Sequence, residues 1–410
     1  MSLDLDSGVA RRIIETVGTH GVPPEYGFQY FTAGLDPYLS VIEKEYLASF
    51  IREGGSAFKM VIGAYGGGKT HFLYCIRDLA WKHNFVVSYV RLSPTESPFH
   101  SLDRVYGAIV KGLTIPLSPE ELLSGYERGI KSFLRSWFSI RQQDLKSKGF
   151  FGDDLHEEFL REIEQIEIVE SLSFARAVKG ALRCLLEGRS EGFECICQWL
   201  NGEPYDRKTH GHYGIFQRID RTTAFSMIRS LVQWIRQVGY SGLVILLDEA
   251  EQTPSLSTRQ KGEHLSNLRE IIDECGHTGF QGVFILYAVP DENFLEGRTQ
   301  VYEALRQRLG TVFNTLNPTG VKINLEELPL QGVELLMEIG ENLKRIYELA
   351  YSCVLDSNIS QDMVRRVAEA AYNQRFGDIG YKRLFVQKCI QALHFLREKG
   401  QPPSLAELQM

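Results

Sequence analysis

The amino-acid sequence predicts an α/β fold: a five-stranded parallel sheet that carries a phosphate-binding loop, a large helical insert and a C-terminal helical lid. The octapeptide GAYGGGKT at residues 63–70 follows the apolar run FKMVI at 58–62. The segment LVILLDEAE at residues 243–251 indicates another buried strand, which ends in carboxylates. Strand-like runs alternate with helical patterns around both motifs, which is typical of a parallel sheet covered by helices on both faces.

Composition narrows the class of protein. The 410 residues are 43% hydrophobic and 24% charged, which suits a large core divided into two or three domains. The net charge of −7 provides no general attraction to nucleic acid, so any such contact needs a local patch. The start of the chain has no apolar signal region and no later run reaches membrane-spanning length, which predicts a cytoplasmic protein without a membrane partner. The seven cysteines predict reduced thiols rather than a disulfide framework.

The first 55 residues predict a helical arm that precedes the sheet. Pro23 and Pro24 end a first helix, and apolar residues between Val41 and Phe50 mark a second one. Residues Ala33 to Asp36, between the two helices, are candidates for contact with the base of a nucleotide. A packing arm without any ligand contact fits the same pattern equally well.

The octapeptide matches the phosphate-loop pattern G-x-x-x-x-G-K-[ST] without a mismatch. Its glycines allow consecutive backbone N–H groups to converge on phosphate oxygens, and the helix that follows presents its positive N-terminal end. We expect Lys69 to contact the β- and γ-phosphates of ATP, and the Thr70 hydroxyl to ligate Mg²⁺. No NKxD-type guanine signature is present, which favours ATP over GTP. The candidate nucleotide-binding residues are Gly63, Ala64, Tyr65, Gly66, Gly67, Gly68, Lys69, Thr70 and His71.

Residues 113–224 predict a helical insert between the second strand (residues 85–92) and the third. A crossover between neighbouring parallel strands usually needs one helix, so roughly a hundred further residues of helical pattern indicate an inserted subdomain. The stretch from Arg128 to Lys148 is locally basic, and Arg128, Lys131 and Arg135 recur at helical spacing. It predicts weak, sequence-independent contact with DNA phosphates, or alternatively an ordinary solvated helix face.

The insert also contains four side chains of metal-ligand type, Cys195, Cys197, His210 and His212. The C-x-C spacing differs from the C-x-x-C of zinc sites, and two cysteines two residues apart on a helix point in diverging directions. We therefore predict cysteines packed in the core and histidines in a loop.

The strand of the second motif delivers two carboxylates at its carboxyl end. Asp248 is expected in the Mg²⁺ shell, and Glu249 is placed to polarise the attacking water in phosphoryl transfer. The alternative is that both residues cap the next helix.

The rest of the chain completes the sheet and the lid. Residues 262–275 and 301–309 predict helices, residues 283–289 and 321–325 predict the fourth and fifth strands, and only helical periodicity follows residue 327. The predicted organisation is an arm at 1–55, a nucleotide-binding core at 56–112 and 225–326, the insert at 113–224 and the lid at 327–410.

These features together resemble the AAA+ ATPases, especially the branch that contains origin-recognition and MoxR-like proteins. The whole chain is also similar to the BREX ATP-binding protein family, the BrxD-type proteins of bacteriophage-exclusion systems. The segments that carry this resemblance lie between residues 30 and 388 and read YFTAGLD, GAYGGGKTHF, RLSPTESPFHSLDRVY, RSWF, LLDEAE, HLSNLREIIDE, EALRQRLG and KRLFVQK.

The resemblance implies an ATP-hydrolysing homo-oligomer that acts in phage defence beside a helicase-like partner. It places Arg308 as an arginine finger and Arg383 as the sensor-2 arginine that touches the γ-phosphate. Tyr287 and Val289 stand where relatives carry a sensor-1 threonine or asparagine, so either Asn293 substitutes or hydrolysis is slow. Three functions remain open: an ATP-hydrolysing machine or switch, a slow-turnover ATP-dependent scaffold, and a replication-initiator-like DNA loader. The last is disfavoured because no winged-helix module is recognisable after the lid.

Overall fold

The computed structural model describes residues 5–167, 169–250, 256–276, 279–291, 300–375 and 380–410. Its strands are β1 (Ser56–Ile62), β2 (Val86–Arg91), β3 (Leu113–Thr114), β4 (Leu243–Asp248), β5 (Val283–Val289) and β6 (Lys322–Asn324). They form one sheet in the order β3-β2-β4-β5-β1-β6. The five predicted strands are present and parallel, which confirms the fold class.

The predicted strand count is wrong by one, because β3 pairs antiparallel with β2 at the edge of the sheet. Two residues are too few to produce the apolar run or the alternation that indicates a strand in a sequence. This short strand lies at the start of the predicted insert.

Helices cover both faces of the sheet. In chain order they are α1 (Ser7–His20), α2 (Asp36–Ile42), α3 (Lys69–Lys82), α4 (Leu102–Lys111), α5 (Pro119–Ser124), α6 (Ile130–Ser147), α7 (Gly152–Gln165), α8 (Leu172–Leu186), α9 (Ser190–Leu200), α10 (Arg207–Gly211), α11 (Ala224–Gln237), α12 (Thr258–Gly276), α13 (Gln300–Leu309), α14 (Gly332–Tyr351), α15 (Ser357–Asn373) and α16 (Tyr381–Lys399). A 3₁₀ turn at Phe28–Phe31 precedes α2, and a π-helical segment at Glu43–Phe50 continues it.

The two faces of the sheet belong to two apolar cores. Side chains alternate along each strand, so Ile245 and Ile285 pack with the insert helices, whereas Val244 and Phe284 pack with α3 and the lid. Strands β4 and β5 are buried throughout because they are covered on both sides. The insert therefore shares its core with one face of the sheet, and the carboxyl ends of the parallel strands meet at one edge.

The first helix of the arm packs against the lid. Helix α1 begins after Asp6, whose carboxylate accepts hydrogen bonds from the N–H groups of Gly8 and Val9, and ends at Gly21 in the left-handed region with φ 60°. Between these caps its buried face contacts α14 and α16, with Gly18 lying against Ile390. The end of α1 is thereby brought close to the phosphate loop.

A buried lysine fixes β1 to the segment before β6. Lys59 is 1% exposed, and its Nζ donates to the Tyr46 hydroxyl at 2.7 Å and to the carbonyls of Pro318 and Gly320 at 2.9 and 2.5 Å. Three acceptors favour the charged ammonium, and burial opposes it, lowering the pKa of Lys59 to about 7. The free-energy cost of keeping the Lys59 ammonium charged therefore depends on pH.

Lys59→Met is expected to lower the free energy of unfolding by about 1–3 kcal/mol, because the buried Gly320 carbonyl and the Tyr46 hydroxyl oxygen lose their donor. The Pro318 carbonyl still accepts from the Tyr46 hydroxyl. Above pH 7 the native lysine releases its proton, whereas the unfolded one keeps it until about pH 10.4. The unfolded state then binds more protons, so wild type gains stability relative to the variant as pH rises from about 7 to 10. Urea unfolding at pH 6.5, 8 and 9.5 measures this, and a stability difference independent of pH would contradict it.

Candidate functional site

The phosphate loop joins β1 to α3 with the geometry that its sequence predicts. Gly66 and Gly68 have φ values of 70° and 99°, in the region that favours glycine. A Cβ on Gly67 would lie 2.9 Å from the Ala64 carbonyl oxygen, so a side chain there would displace the loop. Lys69 is buried, and its Nζ donates to the carbonyls of Gly63 and Ala64 at 2.9 and 3.2 Å. The loop therefore curls around its own lysine.

The two predicted metal ligands, 178 residues apart in the chain, are in direct contact. Thr70 donates its hydroxyl to Asp248 Oδ2 at 2.7 Å, and Tyr89 donates to the same oxygen at 2.6 Å. Asp248 is 1% exposed, and its hydrogen bonds within the described residues all come from neutral groups, including the Glu249 N–H at 2.9 Å. Burial, together with the negative charge of Asp248, raises the pKa of the Tyr89 hydroxyl.

A buried carboxylate with neutral partners retains a negative charge that a cation can balance. Oxygen ligands of this kind suit Mg²⁺, which typically takes one or two protein oxygens and completes its shell with phosphates and water. Thr70 and Asp248 therefore fit the metal that a phosphate loop uses.

Glu249 has an unusual backbone conformation. Its φ is 60°, which is uncommon for a residue other than glycine and is frequently found at functional sites. Its Oε1 lies 3.9 Å from Nε of Arg91, which is 61% exposed at the end of β2. No sequence motif marks Arg91. Its place beside the site follows from the strand register, in which Arg91 pairs with Asp248 across β2 and β4.

A cavity of about 110 Å³ opens beside the phosphate loop, between the arm and the lid. Its walls are mostly apolar, and they include Ala33 and Leu35 of the segment predicted to contact a base. Gly66, Gly67 and Gly68 form its edge toward the phosphate loop. An apolar slot next to a phosphate loop has the shape and chemistry of a site for a nucleotide base.

His71, the residue that follows Thr70 in the sequence, lines this cavity. Its Nε2 lies 2.7 Å from Thr32 Oγ1, and the rings of Phe28 and Phe31 approach its ring edge-on. Burial lowers the pKa of His71 to about 4, assisted by the positive charge of Lys382. The imidazole is therefore neutral near pH 7.

The lid brings two adjacent cations to the loop. Arg383 donates to the Tyr65 hydroxyl at 2.5 Å and to the His20 carbonyl at 3.0 Å. Lys382 instead donates to the carbonyls of Gly67 and Leu325, at 3.0 and 3.2 Å, and burial lowers its pKa. Lys382 is thus a lid side chain that hydrogen-bonds the loop backbone, and the resemblance did not indicate it.

Arg308, the predicted arginine finger, is engaged within its own chain. Its Nε and Nη2 donate to both carboxylate oxygens of Asp273 on α12, at 2.5 and 3.3 Å, and its Nη1 donates to the Ala304 carbonyl. Arg306, two residues earlier on α13, is exposed. In this conformation the Arg308 guanidinium is held against α12.

The predicted sensor-1 positions lie in the core. Tyr287 and Val289 are fully buried in β5, and the Tyr287 hydroxyl lies 3.1 Å from His264 Nε2. Asn293, the predicted substitute, lies outside the described residues.

The basic stretch of the insert differs from its prediction in two ways. Arg128 lies before α6, so it does not share a helix face with Lys131 and Arg135. Most of the basic side chains also form ion pairs within the chain: Arg128 with Glu25, Lys131 and Arg135 with Glu194, Arg141 with Glu162 and Asp144, and Lys148 with Asp144. These ion pairs reduce the positive charge that is left for a phosphate backbone.

The four candidate metal ligands of the insert are dispersed. Cys197 is buried in α9 and Cys195 is partly exposed. His210 is buried and stacks on Tyr205, while His212 is exposed in the following turn. Among the described residues, no cluster of three or more His, Cys, Asp or Glu side chains could hold a metal ion.

No helix among the residues that the structure describes is long and apolar enough to cross a membrane.

Comparisons with known proteins assign the chain to a family. The model of the family described as BREX system ATP-binding protein BrxC/D matches residues 7–404. A comparison with curated proteins gave no match. Among solved structures, the chain is similar to the ORC2 protein of Aeropyrum pernix in ADPNP–ADP complexes, with 13% identity and a TM-score of 0.43 over 93% of this chain and 69% of that one. Since the family model spans nearly all of its length, the chain belongs to the BrxC/D family of BREX system ATP-binding proteins.

Proposed function

We propose that this chain binds ATP with Mg²⁺ and hydrolyses it, as a regulatory or motor component of a phage-defence system that controls DNA-acting partners. The observation that carries the proposal is the contact between Thr70 and Asp248 at 2.7 Å, with Glu249 next in the chain. Two distant motifs are thereby joined at the carboxyl edge of the sheet, beside a slot of suitable size and polarity for a base.

Each group has a distinct role in the proposed reaction. The N–H groups of the loop and the Lys69 ammonium bind the phosphates, and Thr70 with Asp248 would hold Mg²⁺, which would supply positive charge to the phosphate oxygens. Glu249 orients the attacking water and accepts its proton as the bond to the γ-phosphorus forms and the bond to the leaving oxygen breaks. Positioning and charge stabilisation supply most of the acceleration in such reactions.

Phosphate release from ATP tests this proposal directly. The purified chain should release phosphate with Mg²⁺ present and lose that activity when EDTA removes the metal. Release that persists in EDTA, or that matches a preparation without the chain, would contradict hydrolysis at this site.

A slow-turnover ATP-dependent scaffold is the second candidate, favoured by the pairing of Arg308 with Asp273. If Arg308 completes the site of a neighbouring copy in a homo-oligomer, its own chain holds it back in this conformation. Turnover would then depend on an assembly that releases the guanidinium. A direct DNA loader is less well supported, because the basic stretch of the insert is largely neutralised.

Asp273→Asn is expected to raise ATP turnover about two- to fivefold if Arg308 acts as a finger. The two side chains are 33% and 29% exposed, and such pairs stabilise one conformation by roughly 0.5–1 kcal/mol. The gain should disappear in the double variant Asp273→Asn/Arg308→Ala and should persist in Asp273→Asn/Arg306→Ala, since Arg306 is exposed on the same helix. Steady-state phosphate release of the four proteins measures this.

Mixing variants shows whether the arginine acts on a neighbouring copy. Arg308→Ala retains a phosphate loop, and Lys69→Ala retains the arginine, so a mixed assembly contains some complete sites. Activity restored on mixing supports action between subunits. Co-assembly without restored activity would reject it.

A further inference from the structure

One ring nitrogen of His71 is hydrogen-bonded, and the residue lines the cavity. Nε2 contacts Thr32 at 2.7 Å, while no described residue hydrogen-bonds Nδ1. The ring is only partly buried although Phe28 and Phe31 pack against it, and it forms part of the wall that faces the slot. A polar atom with this surrounding is available to a ligand in the cavity.

The hydrogen bonds of the Thr32 hydroxyl indicate which nitrogen of the His71 ring carries the proton. Thr32 Oγ1 also lies 3.0 Å from the carbonyl oxygen of Phe28, and a carbonyl can only accept. The single hydroxyl proton is therefore directed to Phe28, and the hydroxyl oxygen accepts from Nε2–H of His71. A neutral imidazole carries one proton, so with that proton on Nε2 the Nδ1 atom has a lone pair. This hydrogen-bond network thus assigns Nδ1 as an acceptor.

The slot around this acceptor suits an aromatic base. Ala33 and Leu35 of the arm and Leu335, Ile339 and Val386 of the lid give it an apolar lining. The cations Lys382 and Arg383, which can only donate, lie in the same wall. His71 therefore contributes an acceptor to a wall whose charged side chains are donors.

From this geometry we infer that His71 selects the base: its Nδ1 accepts a hydrogen bond from the 6-amino group of adenine. A 6-oxo purine would place a carbonyl lone pair against the Nδ1 lone pair and lose the bond, leaving a polar atom unpaired in an apolar slot. Thr32 is then a positioning residue, because it fixes the tautomer. The inference rests on the proposed ATP site and adds the source of its preference for adenine.

Nucleotide affinities test the inference. Competition binding with Mg²⁺ should give wild type an affinity for inosine triphosphate about tenfold weaker than for ATP, and an affinity for 2′-deoxy-ATP close to that for ATP. His71→Leu should bring ATP down to the level of inosine triphosphate while leaving inosine triphosphate nearly unchanged. His212→Leu, at an exposed histidine of the insert, is the matched control and should leave the ratio as in wild type.

Two further variants separate base reading from packing. His71→Asn places an amide oxygen near the position of Nδ1 and should keep part of the preference for ATP. Thr32→Val removes the acceptor of Nε2–H and should narrow the ratio between ATP and inosine triphosphate without removing the ring. Circular dichroism and thermal unfolding confirm that each variant is folded.

Several results would overturn the inference. Equal wild-type affinities for ATP and inosine triphosphate, or an equal loss of both in His71→Leu, would limit His71 to packing. A large loss for 2′-deoxy-ATP instead would assign Nδ1 to the ribose hydroxyl. A stronger affinity for inosine triphosphate than for ATP would indicate the opposite tautomer. If wild type binds none of these nucleotides, the proposed ATP function fails as well, so the two failures are distinguishable.

Discussion

Glu249→Gln is expected to bind ATP about as tightly as wild type and to lower turnover by roughly 10²- to 10⁴-fold, the usual contribution of a general base. The amide has nearly the same size, so the strained backbone at this residue and the N–H bond to Asp248 can be retained. It cannot accept the proton of the attacking water. The ion pair between Glu249 Oε1 and Arg91 Nε is long, at 3.9 Å, so its loss should cost little stability.

The measurement is steady-state phosphate release together with ATP affinity of the same preparations. Glu96→Gln is a suitable control, because Glu96 is an exposed carboxylate shortly after β2. It should leave both quantities near the wild-type values. Equal turnover of wild type and Glu249→Gln, with contaminating ATPases excluded, would remove the case for hydrolysis with this carboxylate.

The parts of the fold that the sequence predicts are those with local signals. Apolar runs that end at Ile62, Asp248 and Val289 mark buried parallel strands whichever helices cover them. The phosphate loop is equally local, because its positive φ angles at Gly66 and Gly68 require the residue type that the motif contains. Strand β3 has only two residues and exists through its pairing with β2, so no local pattern marks it.

The side-chain contacts of the site depend on long-range packing. Lys382 and Arg383 are adjacent on α16, and neighbours on a helix point about 100° apart, so spacing cannot tell which one contacts the loop. The answer depends on how α16 packs on α1, since Arg383 is drawn toward the His20 carbonyl at the end of that helix. The Thr32 to His71 contact similarly joins the arm to α3.

Whether a basic side chain is ion-paired is predicted poorly from the sequence for the same reason. Lys131 and Arg135 indicate a basic helix face in the sequence, but Glu194, on α9, lies between them in space. A carboxylate about sixty residues away is invisible to a pattern on one helix. The same holds for Arg308, whose partner Asp273 belongs to the preceding helix.

Lys69→Ala is expected to weaken ATP binding by about 10²-fold or more. Hydrogen bonds to charged groups contribute roughly 1.5–3 kcal/mol each, and this ammonium is the cation placed to meet the β- and γ-phosphates. In the structure its Nζ donates to the Gly63 and Ala64 carbonyls, so the same side chain also orders the loop. Its removal therefore eliminates a phosphate contact and loosens the backbone that supplies the others.

The control for this variant is Lys82→Ala, at the other end of α3. Lys82 is 65% exposed and pairs with Glu43 at the surface, where an ion pair contributes little, so both ATP affinity and thermal stability should stay close to wild type. Calorimetric titration with ATP and Mg²⁺ compares the three proteins, and circular dichroism shows whether Lys69→Ala is folded. A folded Lys69→Ala protein with wild-type affinity would mean that the phosphates bind elsewhere. Lys382, which contacts the Gly67 carbonyl, would then be the next cation to replace, because it approaches the same loop from the lid.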